Sequence, residues 1–137
     1  MKTKIKKGQL IKVSCCETDK MCKRLAKVIK REGIEFDGIY AIPRGGLMVG
    51  LYLSHLLNLP LLNVPTYKSL LVDDISDSGN TSKFFKRKKF ACLYTTSWTS
   101  STPDYVCRIK TKKDSWVIFC WEDFDTEGKE KKRNGTM

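Results

Sequence analysis

The sequence predicts an α/β protein with an open, mainly parallel sheet flanked by helices. Three observations carry this expectation. Apolar runs at FDGIYAIP (36–43), SLLVDD (69–74), FACLYTT (90–96) and SWVIFCWE (115–122) have the length and the bounding turn residues of buried strands. Helical patterns fall between several of them. Two loops rich in small residues, PRGG (43–46) and SDSGNT (76–81), each follow a strand and lead into a predicted helix. In parallel sheets ligands bind at the carboxyl ends of the strands, where such loops sit.

The elements follow in order. Thr18 is placed to cap a first helix and Gly33 to end it. Between them Met21, Cys22, Leu25, Val28 and Ile29 repeat at the helical period. The strand FDGIYAIP comes next, and PRGGL turns into LMVGLYLSHLL (47–57), which is apolar on nearly every side and reads as a buried helix. LPLLNV (59–64) reads as a short strand, PTYKS (65–69) as a connection and SLLVDD as the next strand. Residues 81–88 suit a short helix. FACLYTT is another strand, SWTSSTPD (97–104) has loop chemistry, and SWVIFCWE closes the pattern.

At 137 residues the chain suits one compact domain, assigned to residues 1–124 with a charged, polar tail at 125–137. It is 41% hydrophobic and 30% charged, and no apolar run approaches the roughly 20 residues that span a membrane. No secretory signal pattern is read at the N-terminus, so a cytoplasmic, membrane-free protein is expected. The net charge of +11 favours an anionic partner. Its basic runs read as solvated faces. Aromatic residues do not alternate with them as a single-strand platform prefers, which argues against nucleic acid. The six cysteines include no C-x-x-C pair, so neither zinc nor a disulfide framework is indicated. Cys92 and Cys120 read as core thiols, and His55 as packed against a helix neighbour.

The chemistry concentrates in the two loops. Ser76, Asp77, Ser78, Gly79, Asn80 and Thr81 can form a tight turn with converging N–H groups and hydroxyl donors, a cradle for a phosphate. Asp73 and Asp74 stand just before it, where carboxylates accept hydrogen bonds from sugar hydroxyls or serve a magnesium ion. A sugar phosphate satisfies both halves at once. In the other loop Arg44 offers charge-assisted hydrogen bonds, and Gly45 lets the backbone approach an anion.

VDDISDSGNT (72–81) resembles the phosphoribosyl-pyrophosphate motif of the type I phosphoribosyltransferases, and AIPRGGL (41–47) is similar to their pyrophosphate loop. The segment 103–123 is similar to the C-terminal part of the xanthine–guanine (and hypoxanthine) branch. The resemblance implies a small C-terminal hood over the base and a purine phosphoribosyltransferase. Such an enzyme uses phosphoribosyl pyrophosphate and a purine base, with Mg2+, and often assembles as a homodimer or homotetramer. It implies that Asp73 and Asp74 hold the ribose, that Asp77 handles a proton of the base, and that residues 77–81 take the 5′-phosphate. It further implies that Trp116 stacks on the purine, Val117 reads its edge, and Glu122 and Asp123 hold magnesium. Thr96 stands where the purine branch places a lysine that reads the 6-oxo group. The lid that the family carries after a Ser-Tyr pair is shortened here, since Ser69 begins a strand soon after Thr66 and Tyr67. A non-catalytic sensor of nucleotide or phosphoribosyl pyrophosphate on the same scaffold is the second reading.

Overall fold

A computed structural model of the chain describes residues 10–80 and 88–122. In chain order its elements are β1 (Leu10–Val13), α1 (Cys15–Glu32), β2 (Gly38–Ala41), α2 (Gly46–Leu57), β3 (Ser69–Ser76), β4 (Phe90–Thr96), β5 (Tyr105–Lys110) and β6 (Trp116–Phe119). They divide into two compact units, one running from Asp19 to Lys113 and one formed by the segments before and after it.

The larger unit is built on a four-stranded sheet in the order β2-β3-β4-β5, parallel throughout. Its central strands are apolar on both faces, as parallel strands covered on both sides must be. Leu70, Leu71 and Val72 in β3 and Ala91, Cys92 and Leu93 in β4 are fully buried. Leu71, Phe90 and Cys92 form a cluster on one face, joined by Tyr40, Ile42 and Val106. Helix α2 approaches β2 closely at Gly50, where a Cβ would lie 2.5 Å from the Ala41 Cβ. Helix α1 buries Met21, Cys22, Leu25, Ala26 and Ile29. The Cys107 thiol donates to the Met21 carbonyl at 3.3 Å, and the Tyr105 hydroxyl bonds the Glu32 carboxylate.

In the smaller unit β1 and β6 pair in parallel, from Leu10 opposite Trp116 to Val13 opposite Phe119. Ser14 and Glu17 cap the helix that follows β1. The Glu17 N–H donates to Ser14 Oγ at 3.0 Å and the Ser14 N–H to Glu17 Oε1 at 3.1 Å. Trp121 stacks on Phe119 with centroids 4.8 Å apart.

Several expectations are corrected. The cap of α1 is Ser14, because the serine–glutamate pair satisfies two N–H groups. Thr18 lies inside the helix, its hydroxyl donating to the Ser14 carbonyl at 3.0 Å. Val28 is 42% exposed and Ala26 takes its place in the buried stripe. Helix α2 is buried only along Gly46, Val49, Gly50 and Leu53, while Leu47, Met48 and Leu51 face outward. His55 is exposed in its last turn. LPLLNV contributes a single bridge, Leu61 to Ile39, in place of a strand. Strands β1 and β5 were not expected. The helix expected at 81–88 falls almost wholly outside the described residues. No helix among the described residues is long and apolar enough to cross a membrane.

Candidate active site at the carboxyl edge of the larger sheet

Since β2, β3 and β4 are parallel, the loops after them leave from one edge. The first is residues 43–46, where the Pro43–Arg44 peptide is cis. Its position is set by close approach to β3. A Cβ on Gly46 would lie 2.5 Å from the Val72 carbonyl oxygen and 2.9 Å from the Asp73 Cα, and one on Gly45 would lie 2.5 Å from an Asp74 carboxylate oxygen. Backbone bonds hold the loop, with Ile42 N donating to Val72 O at 2.8 Å and Gly46 N to Ile42 O at 2.9 Å. Helix α2 starts here without a side-chain cap, so no residue of its own neutralises its positive end. Arg44 is exposed beside it.

The paired acids end β3. Asp74 is buried and faces Gly45. Asp73 is half-buried, and burial, reinforced by the neighbouring Asp74 carboxylate, pushes its carboxyl up to about 8. Asp73 Oδ1 accepts from Asp74 N at 2.8 Å, and Asp74 Oδ1 accepts from Ile75 N at 2.7 Å. Two adjacent, partly dehydrated carboxyl groups that share a proton can both accept from and donate to hydroxyl groups. Ser76 Oγ, next in the strand, is buried without a hydrogen-bond partner among the described residues. Such an orphan at the start of the turn fits a polar ligand atom.

The turn that follows is braced from β4 and from residues 97–101. Gly79 takes φ +90°, which L side chains rarely adopt, and a Cβ there would also lie 2.7 Å from the Ser101 nitrogen. Ser100 donates to the Ser78 carbonyl twice, from N at 3.0 Å and from Oγ at 2.8 Å. Thr95 Oγ1 donates to Ser76 O at 3.1 Å and Thr96 Oγ1 to Asp77 O at 2.6 Å. Trp98 Nε1 donates to Asp77 Oδ1 at 3.1 Å. Asn80 N donates to Ser78 Oγ at 3.3 Å, tightening the turn.

Arg44, Gly45, Asp73, Asp74, Ser76, Asp77, Ser78, Gly79, Asn80 and Thr96 thus all lie on the loops and strand ends of one edge. Thr96 is 2% exposed and its hydroxyl proton is committed to the turn. Thr81 and Asp123 lie outside the described residues. Trp116, Val117 and Glu122 belong to the smaller unit. There Trp116 is 41% exposed, Val117 is buried, and Glu122 Oε1 accepts from Phe119 N at 3.0 Å. Among the described residues no group of three or more His, Cys, Asp or Glu is arranged to hold a metal ion. A dedicated protein cage is therefore not what these residues build. They fit magnesium in its usual mode, with one or two carboxylates and the rest of its shell from phosphate and water. Sequence reasoning missed Trp98. Its signal was an indole, a donor that seeks a partner, in a hydroxyl-rich loop directly after a strand.

The shortened connection between α2 and β3 is pinned at the opposite edge. Thr66 Oγ1 donates to Asp37 Oδ2 at 3.2 Å, and Asp37 N donates to Lys68 O at 3.0 Å. Both bonds lie at the amino ends of β2 and β3.

The chain is similar to a protein of Idiomarina loihiensis named xanthine-guanine phosphoribosyltransferase, with 26% identity covering 64% of this chain and 72% of that protein. It is also similar to the crystal structure of a purine phosphoribosyltransferase from Pyrococcus horikoshii. The identity is 27% and the TM-score 0.71, over 85% of this chain and 97% of that one. The xanthine-guanine-hypoxanthine phosphoribosyltransferase of Helicobacter pylori shares the fold, at 22% identity and a TM-score of 0.70, over 88% of this chain and 98% of that one. No protein-family model matches the chain. In its parallel sheet, its acid pair followed by a small-residue turn, and these likenesses, the chain resembles the type I phosphoribosyltransferases, and among them the purine branch.

Proposed function

We propose that this chain transfers the 5-phosphoribosyl group from phosphoribosyl pyrophosphate to a purine base, giving a nucleoside monophosphate and pyrophosphate. The observation that carries the reading is the Asp73–Asp74 pair at the end of β3, with the Gly45–Gly46 backbone against it and the small-residue turn 77–80 beyond it. Asp73 and Asp74 accept the ribose hydroxyls and fix the sugar. The turn takes the 5′-phosphate, with Ser76 and Thr81 adding hydroxyls. Arg44 and the Gly45 backbone hold the diphosphate, which leaves as the bond at the ribose C1 breaks and positive charge develops there. Their role is electrostatic stabilisation of the departing group. Asp77 exchanges a proton with the base. Trp116 and Val117 contact the base, while Glu122 and Asp123 serve magnesium, which neutralises diphosphate charge when bound. Thr96 acts through the turn, since its hydroxyl proton goes to the Asp77 carbonyl.

The test is incubation with phosphoribosyl pyrophosphate, magnesium and, separately, guanine, xanthine, hypoxanthine and adenine. Nucleotide formed from at least one base is the expected result. Saturable binding of phosphoribosyl pyrophosphate with no nucleotide from any base would replace the transferase with a sensor on the same scaffold.

A further inference from the structure

We propose that Trp98 is the positioning residue for Asp77, fixing the carboxylate that meets the base. The inference rests on the transferase reading and deepens it, at a residue to which that reading gives no part.

Asp77 is exposed on a turn, where an aspartate side chain ordinarily samples several rotamers. Trp98 Nε1 donates to its Oδ1 at 3.1 Å. Indole nitrogen is a donor only, so this bond has a single polarity and engages one of the two carboxylate oxygens. The ring is itself held in place. The Lys110 and Lys113 ammonium groups each lie 5.5 Å from its centroid, within cation–π range. Lys110 is buried and is the register partner of Thr96, whose hydroxyl grips the Asp77 carbonyl. The loop is closed onto the same strand ends by Ser97 N donating to Lys110 O at 3.0 Å and Thr99 N to Thr96 O at 3.3 Å. Main chain and carboxylate of Asp77 are therefore held by one rigid corner of β4 and β5. A group that exchanges a proton with a bound base works best when its orientation is fixed before the base arrives.

The test compares Trp98→Phe, which keeps the ring and its lysine contacts but lacks the N–H, with Trp98→His, which restores a ring donor. Transfer to guanine and hypoxanthine and the Kd for guanosine monophosphate are measured, each in a cycle with Asp77→Ala. Trp98→Phe is expected to lower kcat and weaken nucleotide binding about tenfold, the size of a lost hydrogen bond to a charged group. Its KM for phosphoribosyl pyrophosphate stays within about twofold. Trp98→His recovers part of the loss, and Trp98→Phe on top of Asp77→Ala, which removes the accepting oxygen, adds nothing further. Full activity in Trp98→Phe, or losses that multiply in the double variant, would overturn the role of Trp98 while leaving the transferase intact. If the wild-type protein makes no nucleotide, the transferase reading falls, and the binding cycle alone decides. Coupled losses support the positioning role. Independent losses, or no binding of guanosine monophosphate, overturn it.

Discussion

Both loops at the site edge combine backbone hydrogen bonds with a close glycine approach, and they differ in the side-chain bonds that brace the second. Residues 43–46 sit against β3 because glycine has no side chain, and the contacts that define their place are to a carbonyl oxygen and a Cα. Residues 77–79 are held by directed bonds from Thr96, Trp98 and Ser100. A loop placed by close approach has no tolerance for added volume, because a backbone neighbour does not rotate aside. A loop placed by several hydrogen bonds loses its order by degrees as each bond is removed.

Breaking the comparison on its steric side gives the largest effect. Gly46→Ala drives a methyl into the Val72 carbonyl and is expected to cost about 3 kcal/mol in urea unfolding. Gly45→Ala meets only the Asp74 carboxylate, a side chain that can turn, and should cost nearer 1 kcal/mol. Equal costs would show that close approach to backbone does not set this loop. On the other side, Asp77→Asn keeps the shape of the turn and should lower kcat about a hundredfold without loss of thermal stability. A large drop in Tm would mean that the carboxylate braces the fold more than it serves the base.

Asp73, between the loops, sharpens the contrast through pH. Its carboxyl ionises near 3.8 in the unfolded chain and near 8 when folded. Between those values the unfolded state binds fewer protons, so this group makes stability fall as pH rises from about 4 to about 8. Asp73→Asn should remove that decline, which unfolding curves at pH 5 and pH 8 would reveal. An unchanged difference between the two would assign the decline to other groups. The smallest effect is expected from Ser100→Ala, which deletes the exposed Oγ bond to Ser78 but leaves the N–H bond to the same carbonyl, at about 0.5 kcal/mol.

The site was legible where its chemistry is local. The acid pair, the small-residue turn and PRGG each occupy a handful of consecutive residues, and the apolar runs beside them set β2, β3 and β4. FACLYTT matches β4 from end to end. Boundaries were weaker where two local rules competed. Thr18 is a good capping residue, but Ser14 with Glu17 closes a reciprocal pair and starts α1 a turn earlier. Helix α2 looked buried because its hydropathy is high all round, yet one helix can press only one stripe against a sheet.

By itself the sequence determined the alternation of strands and helices, the strand ends that carry acids, and the small-residue turn after them, since each follows from residues within one turn or strand of one another. The tertiary structure decided the rest. It paired β1 with β6 across a hundred-residue separation. It committed the Thr96 hydroxyl to the Asp77 carbonyl and brought the Trp98 indole to the Asp77 carboxylate. It also crowded Asp73 and Asp74 enough to hold a proton. These are contacts between distant positions, and their energies depend on burial and angle, which exist only once the strands have assembled.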